Sequence, residues 1–254
     1  MRSARGEKRG AQLVDQIRQV LRLPHPQPAP DFRILRAIGD RKYPLRNATT
    51  YAVETEENVF ALCYLLSEQS HISRPPRRGD KARLYTAHRS SDAELRSEAW
   101  LRTIIDSDRD TPFFTVDVRG IGESTPNTCG ANSFDSTYGC DYFYAIHGIM
   151  LNRPYLGQKT YDVLRVLEWL KEFGYTQVEL IGKQWGATLA TFAGVLSDTV
   201  THVRLVEPLE SFQQLATTED YEMPLANLLP DVLSHFDLPV CYAELGKRLS
   251  VVES

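Results

Sequence analysis

Residues 177–194 read QVELIGKQWGATLATFAG, and this is where the chain concentrates its chemical information. An apolar strand-forming run, 177–183, enters the turn Gly182-Lys183-Gln184-Trp185-Gly186 and leaves it as a small-residue helix, 185–197. Two glycines in a Gly-x-x-x-Gly turn let strand and helix pack closely around a sharp corner. The middle residue is then displayed at the C-terminal edge of a sheet, over a helix N-terminus. A serine displayed there is a nucleophile, and the helix end favours the developing oxyanion. Here the middle residue is Gln184, whose amide donates and accepts hydrogen bonds. No histidine can activate it to attack a carbonyl. A Gly-x-x-x-Gly turn alone is a generic α/β feature, so the flanking strand and helix carry the argument.

The elements that must hold this turn follow from periodicity. Residues 11–23 place Leu13, Val14, Ile17, Val20 and Leu21 at helical spacing. Four prolines within 24–30 then form an extended linker. The runs 49–55 and 58–66 are separated by two residues and predict an antiparallel hairpin. Residues 82–88 predict a strand, 90–105 a helix opened by an N-cap serine and an acidic first turn, and 111–120 a buried strand. The polar, aromatic stretch 119–155 predicts a long functional loop or surface excursion. A helix over 156–173 is capped by Gly174, and strands follow at 201–208 and 248–254. From about residue 80, strands alternate with helices of crossover length. That predicts an α/β fold: a mostly parallel twisted sheet with helices on both faces, preceded by the antiparallel hairpin.

With these residues in place, the chain resembles the α/β-hydrolases, in the acetyl xylan esterase-like branch allied to prolyl oligopeptidases and dienelactone hydrolases. The matching residues are Asp117-Val118-Arg119-Gly120-Ile121-Gly122-Glu123-Ser124, Tyr138-Gly139-Cys140-Asp141-Tyr142, Gly157-Gln158 with Asp162-Val163-Leu164, and the degenerate elbow 182–186. The resemblance covers residues 45–254, leaving 1–44 as a basic helix and Pro-rich linker. It implies the hydrolase sheet, and esterase activity on acylated carbohydrate in intact members. It also implies that this sheet stops after the seventh of eight strands, so the fold is expected to be C-terminally truncated.

The departures bear on catalysis. The family nucleophile maps onto Gln184, and the last histidine, His235, precedes the final strand instead of following it. Glu207 and Glu253 are candidate acids at strand ends; without a histidine to orient, each reduces to a solvated carboxylate. Ser124 is the alternative nucleophile, in a turn that the resemblance makes structural, braced by Asp117 and Arg119 with Gly120 and Gly122. His88 and Arg89 occupy the loop that supplies an oxyanion N–H in hydrolases. Trp185 either lines a pocket or packs in the core, and His147 is a packed or surface histidine.

Composition narrows the function classes. The 254 residues are 42% hydrophobic and 24% charged, an ordinary globular balance, and no apolar run reaches transmembrane length. Residues 1–30 hold no apolar core with a cleavage site, which predicts a cytoplasmic protein. Residues 1–50 carry +7 and the remainder −11, so a basic arm is expected to dock on an acidic body or stand as a solvated tail. A surface-binding module using that arm is the third reading, and neither a nucleic-acid nor a membrane partner is expected. Cys63, Cys129, Cys140 and Cys241 show no metal spacing; Cys129 and Cys140 flank a polar loop in reach of one local disulfide. No cofactor and no metal are expected. The resulting expectation is a non-catalytic or incomplete hydrolase domain whose ligand is an acylated carbohydrate or small ester. Its alternative is a carboxylic-ester hydrolase using non-canonical residues such as Ser124, or completed by another chain or domain. The chain is further expected to be a homo-oligomer or part of a longer protein, with its last strand covered by a second copy or by the N-terminal helix.

Overall fold

A computed structural model describes residues 9–25, 27–126, 140–219 and 223–252. Helix α1 (Ala11–Leu21) buries Leu13, Ile17, Val20 and Leu21. Their spacing sets them on one face, against the core. Strands β1 (Phe32–Gly39), β2 (Asn47–Glu56) and β3 (Val59–Ser67) form an antiparallel meander. The β2–β3 turn pairs Glu56 with Val59 across two residues, and Asn58 within it has a positive φ of 61°. The remaining strands are β4 (Lys81–Thr86), β5 (Phe113–Asp117), β6 (Gln177–Lys183), β7 (Val200–Val206) and β8 (Leu249–Val252). The eight strands lie in the order β1-β2-β3-β5-β4-β6-β7-β8. Pairing is antiparallel as far as β3–β5 and parallel from β5 to β8. The helices are α2 (Ser91–Ser97), α3 (Ala99–Ser107), α4 (Cys140–Met150), α5 (Tyr155–Glu172), α6 (Gln184–Leu196), α7 (Phe212–Thr217) and α8 (Leu238–Leu245).

The core beside β2 and β5 is aromatic. The Trp169 ring lies 5.3 Å from Tyr51, 5.7 Å from Phe32 and 6.1 Å from Phe114, in tilted and edge-on contacts. Phe32 belongs to β1, so this cluster ties the outermost strand to α5.

The sequence pattern is extended at four places. Residues 32–39, assigned to the segment ahead of 45, form β1 and pair along β2. The predicted helix 90–105 is two helices, because Glu98 is extended (φ −84°, ψ 106°) and ends one while starting the other. The predicted loop 119–155 contains α4, and α8 forms between the 3-10 turn at 232–234 and β8. Helix α1 packs against α5 and α6 and does not cover β8, where Val251 is 61% exposed. The Cys129–Cys140 pairing lies outside the described residues. Among the described residues, no helix is long and apolar enough to cross a membrane.

The α1–α5 contact depends on one missing side chain. A Cβ at Gly157 would stand 2.0 Å from the Leu21 carbonyl oxygen, a main-chain atom that cannot swing away. Gly157→Ala is therefore expected to lift the end of α1 and cost about 1–3 kcal/mol of stability. Urea unfolding measures the loss, and faster proteolysis within residues 11–21 locates it.

Candidate functional site

The β6–α6 corner has elbow geometry. Gln184 carries a φ of 44°, in the left-handed region that a side chain adopts only when its surroundings force it. Those surroundings are the two glycines. A Cβ at Gly182 would lie 2.5 Å from the Gly186 carbonyl oxygen, and one at Gly186 would lie 2.3 Å from that of Thr86. Thr86 fastens the corner to β4 by sharing its hydroxyl proton between the carbonyls of Gly186 (2.9 Å) and Ile181 (3.0 Å). Gln184 is thus displayed where a nucleophile would be. Its Nε2 donates to Glu207 Oε2 at 2.6 Å. Glu207 follows β7 directly and has a positive φ of its own, 49°. The candidate acid therefore faces an amide in place of a histidine.

The β4–α2 loop lies against this corner. The His88 ring lies 4.5 Å from the Trp185 ring, and the Arg89 guanidinium lies 5.4 Å from the same indole. Lys183 bridges to Glu98 at 3.0 Å. Burial first, then the positive charges of Arg89 and Lys183, push His88 from the ordinary 6.5 down to about 4; Glu207 opposes them. The imidazole is neutral at pH 7 and a much weaker base than an ordinary histidine. Its Nδ1 is buried without a hydrogen-bond partner.

The loop's main-chain donors are taken. Buried Glu94 turns back from the first turn of α2 and accepts from the N–H groups of His88 (3.1 Å), Arg89 (2.6 Å) and Ser90 (2.8 Å), and from the Tyr85 hydroxyl. The N–H groups expected to face an oxyanion point instead at a carboxylate. In the sequence, the acids of this first turn mark only the start of a helix. The informative signal was a glutamate four residues after the N-cap Ser90, spaced to reach back over the loop.

The turn carrying Ser124 is closed on itself. Ser124 Oγ donates to the carbonyls of Asp117 (2.9 Å) and Phe60 (3.3 Å). Asp117 accepts from the N–H groups of Ser91 (2.7 Å) and Glu123 (3.0 Å), and its carboxylate fills the space a Gly122 side chain would need. Gly120 and Gly122 have φ of 74° and 51°. Arg119 reaches Asp162 through Nε (2.9 Å) and Nη2 (2.5 Å), Gln158 at 3.0 Å and Glu56 at 2.8 Å. Among the described residues no histidine is hydrogen-bonded to Ser124. Elsewhere, His147 is exposed on α4, and His235 lies 3.6 Å from Asp231. Glu253 lies outside the described residues. Among those described, no group of three or more His, Cys, Asp or Glu is placed to hold a metal ion.

Strand order, parallel pairing from β5 to β8 and the elbow together define an α/β-hydrolase fold. Solved structures agree. A Bacteroides fragilis protein assigned as an acetyl xylan esterase superposes with a TM-score of 0.67 at 14% identity, over 95% of this chain and 66% of its own. An acetyl xylan esterase from Paenibacillus sp. R4 gives 0.60 at 14%, over 97% and 88%. A methylesterase gives 0.56 at 18%, over 97% and 51%. The chain thus spans about two thirds of the first of these and half of the methylesterase. No protein-family pattern matches the sequence, and no curated protein matches it.

Two measurements check this geometry. Because the folded pKa of His88 is the lower one, the unfolded chain binds more protons between pH 6.5 and about 4. The contribution of the neutral imidazole is full above 6.5 and lost as pH falls toward 4, by about 3 kcal/mol. Burial pushes Asp117 up to about 7, which acts in the opposite direction over the same range. The relevant quantity is therefore the difference between wild type and His88→Phe in urea midpoints across pH 4–7, where the variant is expected to gain relative stability as pH falls. Glu94→Ala strands the loop's buried N–H groups and is expected to cost about 2–4 kcal/mol by the same urea assay.

Proposed function

We propose that this chain is a non-catalytic α/β-hydrolase-fold domain, in which the elbow persists as a folding device and serine ester hydrolysis is not performed. The observation that carries the reading is the Gln184–Glu207 hydrogen bond, 2.6 Å long, at an elbow residue with a φ of 44°. The nucleophile position is filled by an amide, and that amide is committed to the acid at the end of β7. The loop beside it supports the same reading, since Glu94 holds its N–H groups. Ser124 does not compete, because its proton is directed at two main-chain carbonyls. The ligand class proposed for the elbow surface is an acylated carbohydrate or small ester held without turnover, by analogy with the named esterase neighbours.

Hydrolysis of p-nitrophenyl acetate by the purified chain is expected to match the rate with an equal concentration of Ser124→Ala protein, both at the solution background. Gln184→Ser is expected to leave that rate within about threefold of background, since a positioned general base typically supplies about 10²–10⁴-fold and none faces the new hydroxyl. Turnover by the native chain that Ser124→Ala or Gln184→Ala abolishes would overturn the proposal.

A further inference from the structure

The chain between β7 and α8 leaves the C-terminal end of the sheet at Glu207. It builds α7 and two 3-10 turns, 225–227 and 232–234, the first of them packed beside α4. Among these elements lies a cavity of about 480 Å³. Its walls are the apolar side chains of Ile149, Phe212, Leu215, Leu225, Leu229 and Val232. Two polar residues, Asp231 and Ser234, share the lining, and they satisfy each other: Ser234 Oγ donates to Asp231 Oδ1 at 2.6 Å.

A second cavity of about 220 Å³ adjoins the first, with Ile149, Pro230 and Asp231 in both walls. Its chemistry is different. Gln19 and Arg22 from the end of α1, Asn152 from the turn after α4, and His235 line it. Arg22, Gln19 and Asn152 supply side-chain N–H donors, and Arg22 supplies a fixed positive charge. Asp231 lines the recess as well, opposite in charge to Arg22, with Ser234 as a donor and His235 at 3.6 Å.

An apolar cavity within the usual ligand-site range of about 300–1,000 Å³, sharing Ile149, Pro230 and Asp231 with a recess that carries the donors Arg22, Gln19 and Asn152, fits an amphiphile with an acceptor head. We propose that these two cavities bind an aliphatic carboxylate, its tail between α4, α7 and the 225–234 segment and its carboxylate against Arg22, Gln19 and Asn152. The cavities are built from residues outside the elbow cluster, so a catalytic result at the elbow leaves this site standing.

The test is displacement of a fluorescent fatty-acid probe from the full-length chain by straight alkanoates of increasing length, each below its micelle concentration. Affinity is expected to rise about fourfold per methylene, the effect of burying one CH2, and to level off once the chain outgrows the larger cavity. The matching alkanols are expected to bind about tenfold more weakly, and Arg22→Ala to remove that preference while retaining the chain-length dependence. Leu229→Trp, which fills the larger cavity, is expected to abolish displacement with the far-ultraviolet circular dichroism unchanged. Leu215→Gln serves the same purpose if that variant fails to fold. Affinity independent of chain length, or undiminished in a folded cavity variant, would overturn the proposal. So would self-association that fills the cavity, seen as a concentration-dependent mass lost in Leu229→Trp with no alkanoate bound.

Discussion

Close approach of backbone to backbone at the β6–α6 corner dictates what the C-terminal edge of the sheet looks like. Gly186 sits so near β4 that even a methyl group would strike the Thr86 carbonyl, and Gly182 is as tightly placed against Gly186 itself. Thr86 then bridges both sides of the corner with one hydroxyl. With strand, helix and neighbouring strand held this way, the residue between them must adopt a positive φ whatever its side chain. A residue other than glycine pays about 1–2 kcal/mol for that conformation. The elbow geometry here is therefore set by packing, with a glutamine at its tip. The Gln184–Glu207 hydrogen bond gives the displaced side chain a fixed partner and offsets part of the strain.

The same economy of partners governs the loops around the corner. Buried carboxylates in this chain act as acceptors for main-chain donors: Glu94 gathers the β4–α2 loop, and Asp117 joins the start of α2 to the turn after β5. Asp162 takes a third such role, accepting from the Arg119 main chain and guanidinium and from the Thr55 hydroxyl at 2.6 Å. Each of these acids leaves fewer uncommitted donors at the sheet edge.

Much of this was legible in the sequence. The hairpin announced itself through two apolar runs and a two-residue gap, and the parallel half through alternating strands and crossover helices. The elbow showed in the spacing of Gly182 and Gly186. What escaped was governed by tertiary contact. Strand β1 has arginines interleaved with apolar residues and stays mostly exposed, so its pattern carries no buried face; Phe32 alone anchors it in the aromatic cluster. Helix α1 has a clear apolar stripe, but nothing local reveals that its end fits into the gap left by Gly157. Helix α4 was hidden in a stretch rich in aromatic and polar residues. Glu94 looked like one more acid in a helix's first turn, because its role depends on the loop folding back within reach. Both cavities beside α4 depend on segments distant in sequence, and no single periodicity encodes them.

The central claim is that the hydrolase elbow is present and carries no reactive nucleophile. The most direct test is exposure of the native chain to a small alkyl fluorophosphonate, which reacts with activated serines, followed by intact-mass spectrometry and peptide mapping. The expected result is an unmodified mass after prolonged incubation, with a serine esterase labelled to completion under the same conditions. A stoichiometric adduct on Ser124, or on any serine of the native chain, would contradict the claim.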